Sequence, residues 1–208
     1  MKENTACLCG INFFIEYNEE IDLDQNIDTI EEICSGMFMR YACPGCGKIH
    51  KPEKTITLIW NSKNIKYEVL PELERMAFYR SKKNKTYKDI TLQTIIGYPE
   101  MADRITVLKD GLEPVVIEAL KYYLLLKAGE NYPDNEINAW YFEKSGSSIE
   151  FHLDGIKPGE VAVMKVPEEI YNKTLEDWKK RPKTELYSQL YYYSYLSVQN
   201  VFKPEFIK

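Results

Sequence analysis

The residues best suited to chemistry are cysteines in two short clusters, Cys7-Leu8-Cys9-Gly10 and Cys43-Pro44-Gly45-Cys46-Gly47. Thiolate sulfur suits zinc in a closed tetrahedron, and structural sites are built from four cysteines or from cysteine and histidine. In a Cys-Pro-x-Cys-Gly knuckle both cysteines sit on one tight turn. Proline pre-sets φ, and glycine turns the backbone back toward the sulfurs without a Cβ clash. The second cluster has this form in full, whereas the first has Ala6 where the leading cysteine of a Cys-x-x-Cys would stand. Either the turn is tightened and Cys7 still reaches the metal, or a ligand has been lost. His50 and Cys34 are the available substitutes. Cys34 falls at helical spacing with Ile27, Ile30 and Ile33, which reads as a small buried hydrophobe. His50, between Lys48 and Lys51-Pro52, reads as a surface strand residue. The expected ligands are therefore Cys7, Cys9, Cys43 and Cys46, with zinc as the cofactor.

A redox role for Cys-Pro-Gly-Cys would need a depressed thiol pKa, usually from a helix N-terminus. The residues after Cys46 are Gly-Lys-Ile-His-Lys-Pro, which do not start a helix. Five cysteines, four of them in the two clusters, fit metal use in a reducing compartment better than a disulfide framework. No apolar segment follows Met1-Lys2-Glu3-Asn4, so no signal peptide is expected. No run of about 20 apolar residues is present to span a membrane. The expected location is the cytoplasm. A net charge of −5 takes weight from a nucleic-acid binder, which is more often basic.

The elements that must position the cysteines follow from periodicity. Residues 11–17 read as a strand leaving the first cluster. A short helix follows, capped by Asn26 or by Asp28 with Glu31 as reciprocal partner. Its stripe is Ile27, Ile30, Ile33, Cys34 and Met37, and Ser35-Gly36 ends it. Residues 37–42 return as a strand to the second cluster. Residues 55–60 and 65–70 are β-rich around Asn61-Ser62-Lys63-Asn64, a hairpin. Residues 72–79 read as a short helical connector. Arg80, Lys82, Lys83, Lys85 and Lys88, with Tyr79 and Tyr87, form the one basic cluster, read as a solvated edge in this acidic chain. Residues 90–96 read as a strand. A helix starts at Pro99 and breaks at Asp110-Gly111. A second, opened by Pro114, is apolar nearly all round over 115–126 and reads as the buried core helix, ending at Gly129.

Residues 131–138 are polar and mark the best internal boundary. Strands at 139–143 and 149–153 form a second hairpin, a third strand covers 160–166, and His152 has no neighbour that would make it a catalytic base. Pro167 starts a helix with the face Ile170, Thr174, Leu175 and Trp178, stopped by Pro182. Residues 186–202 fit helical spacing and are read as helix, although tyrosine density favours strand.

The ordered set of features resembles the bacterial and archaeal CpXC domain family. Both cysteine clusters carry the match. So do the hairpin Thr57-Leu58-Ile59-Trp60 with Tyr67-Glu68-Val69-Leu70-Pro71-Glu72, the segment Arg104-Ile105-Thr106-Val107-Leu108-Lys109-Asp110-Gly111-Leu112, and Ile117-Glu118-Ala119-Leu120-Lys121. The resemblance covers about residues 5–126. It implies a metal-binding domain with no assigned activity and supplies no catalytic residues. Where the family has Cys-Pro-x-Cys in its first knuckle, this chain has Ala6-Cys7-Leu8-Cys9, while Cys43 and Cys46 match fully.

The expected fold is α+β: a zinc-ribbon-like knuckle pair (about 5–70) with β-hairpins packed on a buried apolar helix (about 98–129), together residues 1–130. A smaller α+β segment, 131–208, follows. The expected function is that of a structural-zinc protein that binds a protein partner or acts as a scaffold. No His-Glu-x-x-His, phosphate loop or Gly-x-Ser-x-Gly is present, so no catalytic residues are assigned. The alternatives are a zinc-assisted hydrolase using Cys9, Cys43 and Cys46 with a water on the metal, and a nucleic-acid module using the basic cluster.

Overall fold

The computed structural model describes residues 1–81 and 92–202. It is a mixed α and β fold whose contacts divide into two units, Met1–Ala102 and Asp103–Lys208. The polar stretch 131–138 lies inside the second unit.

In the first unit, β1 (Lys2–Ala6) and β2 (Asn12–Glu16) form a hairpin around the first cysteine cluster. Strand β3 (Glu20–Asp22) leads to helix α1 (Ile27–Cys34). A two-residue pair, β4 (Tyr41–Ala42) and β5 (Ile49–His50), brackets the second cluster. Strands β6 (Ile56–Trp60) and β7 (Ile65–Leu70) make the expected antiparallel hairpin, in the register Ile56 with Val69 and Trp60 with Ile65. Its turn is a 3-10 stretch that closes on Asn64 in the left-handed region (φ 54°), which asparagine tolerates. Helix α2 (Arg75–Ser81) and strand β8 (Leu92–Ile96) follow, giving the sheet order β8-β7-β6-β3. Alternation along β6 and β7 buries Ile56, Leu58, Trp60, Tyr67 and Val69, and Ile21, Ile30, Ile33, Phe78 and Ile95 of the same unit are buried as well.

Two expectations about α1 fail. Asn26 is the N-cap, but no side chain caps the helix, and Asp28 lies in its first turn. Only Ile30 and Ile33 of the apolar stripe are buried; Ile27 and Met37 are exposed and Cys34 is half-buried. Eight residues make two turns, so only one i, i+3 pair reaches the core. The return strand is also shorter than expected, two residues in place of six.

Helix α3 (Tyr98–Lys109) ends at Gly111 (φ 70°), as its Asp-Gly signal indicates. In the second unit, α4 (Pro114–Asn131) is the core helix. Residues 115–121 are buried on all sides, while in the second half Tyr122, Leu124, Leu125 and Ala128 face the core and Tyr123 and Leu126 are exposed. Gly129 does not end α4, which continues two residues further to Asn131; a glycine inside a helix costs about 1 kcal/mol relative to alanine. A three-stranded antiparallel sheet packs on it: β9 (Asn138–Ser145), β10 (Ser148–Asp154) and β11 (Ala162–Pro167), in the order β11-β10-β9. Helix α5 (Glu168–Lys180) covers the same core through Tyr171, Leu175 and Trp178. The 186–202 segment is not one helix. It is α6 (Glu185–Gln189), a tight pair β12 (Tyr191–Tyr192) and β13 (Tyr195–Leu196), and α7 (Gln199–Phe202). Tyr193 in the left-handed region (φ 53°) makes the turn that interrupts the helical spacing.

Charge is buried in this second core. Lys121 Nζ lies 2.5 Å from Asp103 Oδ2 and 2.9 Å from Glu118 Oε1. Glu118 also accepts the Val198 N–H (2.7 Å), Asp103 accepts the Tyr141 N–H (2.6 Å), and Arg104 donates to the Leu196 carbonyl (2.8 Å). These bonds tie α3 and α4 to β9 and to the segment after β13. Burial raises the Asp103 pKa. Glu118 is lowered despite burial because Lys121 and Arg104 outweigh it, and Lys121 is raised by its two carboxylates.

Candidate metal centre

Two hairpins carry the four cysteines. At the first cluster the Cys7 N–H donates to the Ile11 carbonyl, and the Gly10 N–H returns to the Cys7 carbonyl, both at 2.9 Å. At the second, the Cys43 N–H donates to the Lys48 carbonyl and the Gly47 N–H to the Cys43 carbonyl, again both at 2.9 Å. The two turns are the same device, the first one residue shorter. Each closes on a glycine in the left-handed region, Gly10 (φ 88°) and Gly47 (φ 73°), where a Cβ would be strained. The missing proline-to-cysteine residue is thus absorbed by a tighter turn, and Cys7 keeps its place.

The result brings all four sulfurs together. Cys7 Sγ is 3.6 Å from Cys46 Sγ, and Cys9 Sγ is 3.6 Å from Cys43 Sγ. Every pair of the four sulfurs lies within 4.8 Å. Zinc–sulfur bonds of about 2.3 Å put the edges of a sulfur tetrahedron at about 3.8 Å, close to the two 3.6 Å pairs, and the wider pairs, none beyond 4.8 Å, would draw in around an ion. The two inner sulfurs, of Cys7 and Cys43, belong to buried residues, and the outer two, of Cys9 and Cys46, to exposed ones. The donor set fits a metal ion. His50 and Cys34 are not in the cluster. Cys34 stays on α1, and His50 pairs with Tyr41 across β4 and β5, its ring edge-on to Phe13 with centroids 5.2 Å apart. The His50 Nε2 is buried and has no hydrogen-bond partner among the described residues.

The thiols show what an ion would change. Cys43 is held down at about 7 by the Cys46 and Gly45 amides, which outweigh burial, and by the Cys9 and Cys7 thiols. Cys9 is pushed up to about 12. The Ile11 amide favours its thiolate, but the Cys7 thiol, desolvation and the Cys46 and Cys43 thiols outweigh that bond. Without a cation, one thiolate on the cluster suppresses the next. A divalent ion reverses that sign and lets several sulfurs ionise together.

One contact escaped the sequence reading. A Cβ added at Gly45 would stand 2.7 Å from Ile11 Cγ1 and 3.7 Å from Cys9 Sγ. Gly45 has no positive φ, so its lack of a side chain serves the approach of the two knuckles. The Cys-Pro-x-Cys spacing carries no signal that ties Gly45 to Ile11, which stands beside the first knuckle. Of the basic cluster, Lys82, Lys83, Lys85, Tyr87 and Lys88 lie outside the described residues.

The family model for the CpXC protein matches residues 5–121, which take in both knuckles, the first sheet and the buried start of α4. The chain belongs to the CpXC family. It is also similar to an uncharacterized protein of Treponema pallidum (strain Nichols), 31% identical over 214 residues, covering 94% of this chain and 96% of the relative. No solved structure matches. Among the described residues no helix is long and apolar enough to cross a membrane.

Proposed function

We propose that the chain is a protein-binding or scaffolding module whose N-terminal ribbon is folded by a structural zinc ion on Cys7, Cys9, Cys43 and Cys46. The observation that carries this reading is the convergence of four sulfurs, not three, within 4.8 Å. A hydrolytic zinc keeps three protein ligands and a water, with a general base at hand. Here a fourth sulfur stands where the water would bind, and among the described residues no histidine or carboxylate joins the cluster.

The ribbon's thin core supports the same reading. From residue 1 to residue 16 only Cys7 and Ile15 are buried, and across 37–50 only Met39 and Cys43 are. So little apolar burial does not hold short hairpins together, and metal coordination supplies folding free energy directly. Thiolate ligands suit a reducing compartment, so we place the protein in the cytoplasm. A role in protein contact is supported by exposed apolar residues on the ribbon, Leu8 and Phe14 above all.

The test is the metal content of untagged protein by elemental analysis, for wild type, Cys7→Ser and Cys43→Ser. One zinc per chain, lost in both variants, is expected. Zinc retained in Cys7→Ser would mean an open coordination sphere and overturn the structural reading; a metal-free wild type would overturn the site itself.

A further inference from the structure

The sheet of the second unit has two edges of different character. On β9 the outward Tyr141 N–H is taken by the buried carboxylate of Asp103 at 2.6 Å. That bond blocks strand addition in the middle of this edge. The other edge is β11. Among the described residues, the backbone of 162–166 bonds only to β10, so its alternate N–H and C=O groups face outward unpaired. Edge strands are commonly guarded by a lysine. The lysine of β11, Lys165, instead turns back over the sheet to Glu150 at 3.4 Å.

Beside this edge lies a half-open cavity of about 350 Å³ between β11, the end of β10 and the second half of α4. Ala162 and Met164 of β11 line it, with Leu124 and Ala128 of α4 and Leu153 of β10. Lys127, Lys157 and Glu160 also line it; Lys157 and Glu160 pair with each other at 3.4 Å, and Lys127 forms no ion pair among the described residues. On the opposite face of β11, Val163 is 52% exposed. A strand added to β11 would send every second side chain into the cavity and the others over Val163.

We propose that β11 and this cavity bind an extended peptide of a partner protein, with apolar side chains at alternating positions and an acidic residue opposite Lys127. The proposal rests on the protein-binding reading above and names its surface. A second copy of the chain fits less well. Pairing β11 with β11 would bring in Ala162 and Met164 side chains that already line their own cavity, leaving both cavities unfilled. A free peptide fills the cavity and pairs the edge at once.

The test is selection of random heptapeptides displayed on phage against the full chain, followed by fluorescence anisotropy with synthetic versions of the enriched sequences. Enriched peptides should alternate apolar residues. N-methylation of one alternate set of peptide amides should weaken binding about tenfold or more, while the other set is tolerated. Ala162→Phe, which fills the cavity, should weaken binding about tenfold with an unchanged circular dichroism spectrum. Bound peptide should protect the amides of 162–166 from hydrogen exchange. Absence of an alternating motif, equal tolerance of both methylated sets, or protection of 162–166 that rises with protein concentration without peptide would overturn the proposal. Zinc in the protein without peptide binding sinks the edge site alone. Peptide binding by zinc-free Cys43→Ser leaves the edge site standing, because that variant reads only the first unit.

Discussion

The most exacting test of the knuckle geometry is a substitution that leaves every cysteine in place. Gly45→Ala puts a methyl 2.7 Å from Ile11 Cγ1, well inside contact distance, whereas its next neighbours, Ile11 Cβ at 3.5 Å and Cys9 Sγ at 3.7 Å, are ordinary contacts. The clash therefore comes from one atom of one side chain. Overpacking costs about 1–3 kcal/mol. As a β-branched residue Ile11 has few rotamers to move into, so the cost is real, but it is exposed and can give way toward solvent, which places the cost near the lower end. A cost of about 1–2 kcal/mol is a loss of about 5–30-fold in zinc affinity if the strain falls on the bound form. Ile11→Ala removes Cγ1 and should restore most of that affinity in the double variant. The assay is chelator competition on wild type, both single variants and the double. Equal affinity in Gly45→Ala and wild type, or no recovery in the double variant, would refute the claim that the knuckles meet through this contact.

Three further outcomes follow from the fold. Lys121→Met strands Asp103 and Glu118 in the core and should cost about 3–5 kcal/mol in urea unfolding at neutral pH, since breaking a buried ion pair leaves an uncompensated charge. Because Asp103 already has a raised pKa, it takes up a proton as pH falls and no longer needs the cation, so the deficit of this variant should narrow on acidification. In the wild type the sign differs by group. The contribution of Lys121, raised in the fold, is complete below its unfolded pKa and lost as pH rises through the folded one; that of Glu118, lowered in the fold, is lost as pH falls. Gly155→Ala should leave little folded protein in a thermal melt, because its Cβ would sit 2.0 Å from the Glu136 carbonyl oxygen at φ 86°. Gly159→Ala, at φ 74° in open space, should lose only about 1 kcal/mol.

What the sequence disclosed was local. Cysteine and glycine spacing located both knuckles because a knuckle is a turn, and turn chemistry is written in adjacent residues. The hairpin at Asn61–Lys63 was legible for the same reason. The start of α4 at Pro114 was legible too, but its C-terminal end and the tail were not. Gly129 looks like a stop, but helix termination depends on what the next turn packs against, and α4 runs on. The tyrosines of 186–202 keep helical spacing, yet Tyr192, Tyr195 and Leu196 are buried from a tight strand pair. Tertiary burial there overrides the period. The charge cluster of Asp103, Glu118 and Lys121 was equally hidden. Its members are spaced like any solvated helix face, and only the packing of α3 on α4 turns them inward.

The uneven distribution of apolar burial in the first unit sets where metal dependence should stop. Strands β6 and β7 bury alternate residues along their length, and their sheet holds buried Ile21, Ile95 and Ile96 besides. The ribbon buries a handful of side chains, two of them cysteines. Chelation should therefore melt the ribbon and spare the sheet. Hydrogen exchange after zinc removal is expected to rise across 7–11 and 43–50, where the Cys7, Gly10, Cys43 and Gly47 amides close the turns, and to stay slow in β6 and β7. Loss of protection throughout 56–70 would mean that the sheet leans on the knuckles for its stability. Unchanged exchange at 43–50 would mean that backbone bonds alone hold the turns, and that the four sulfurs do not carry the folding of the ribbon.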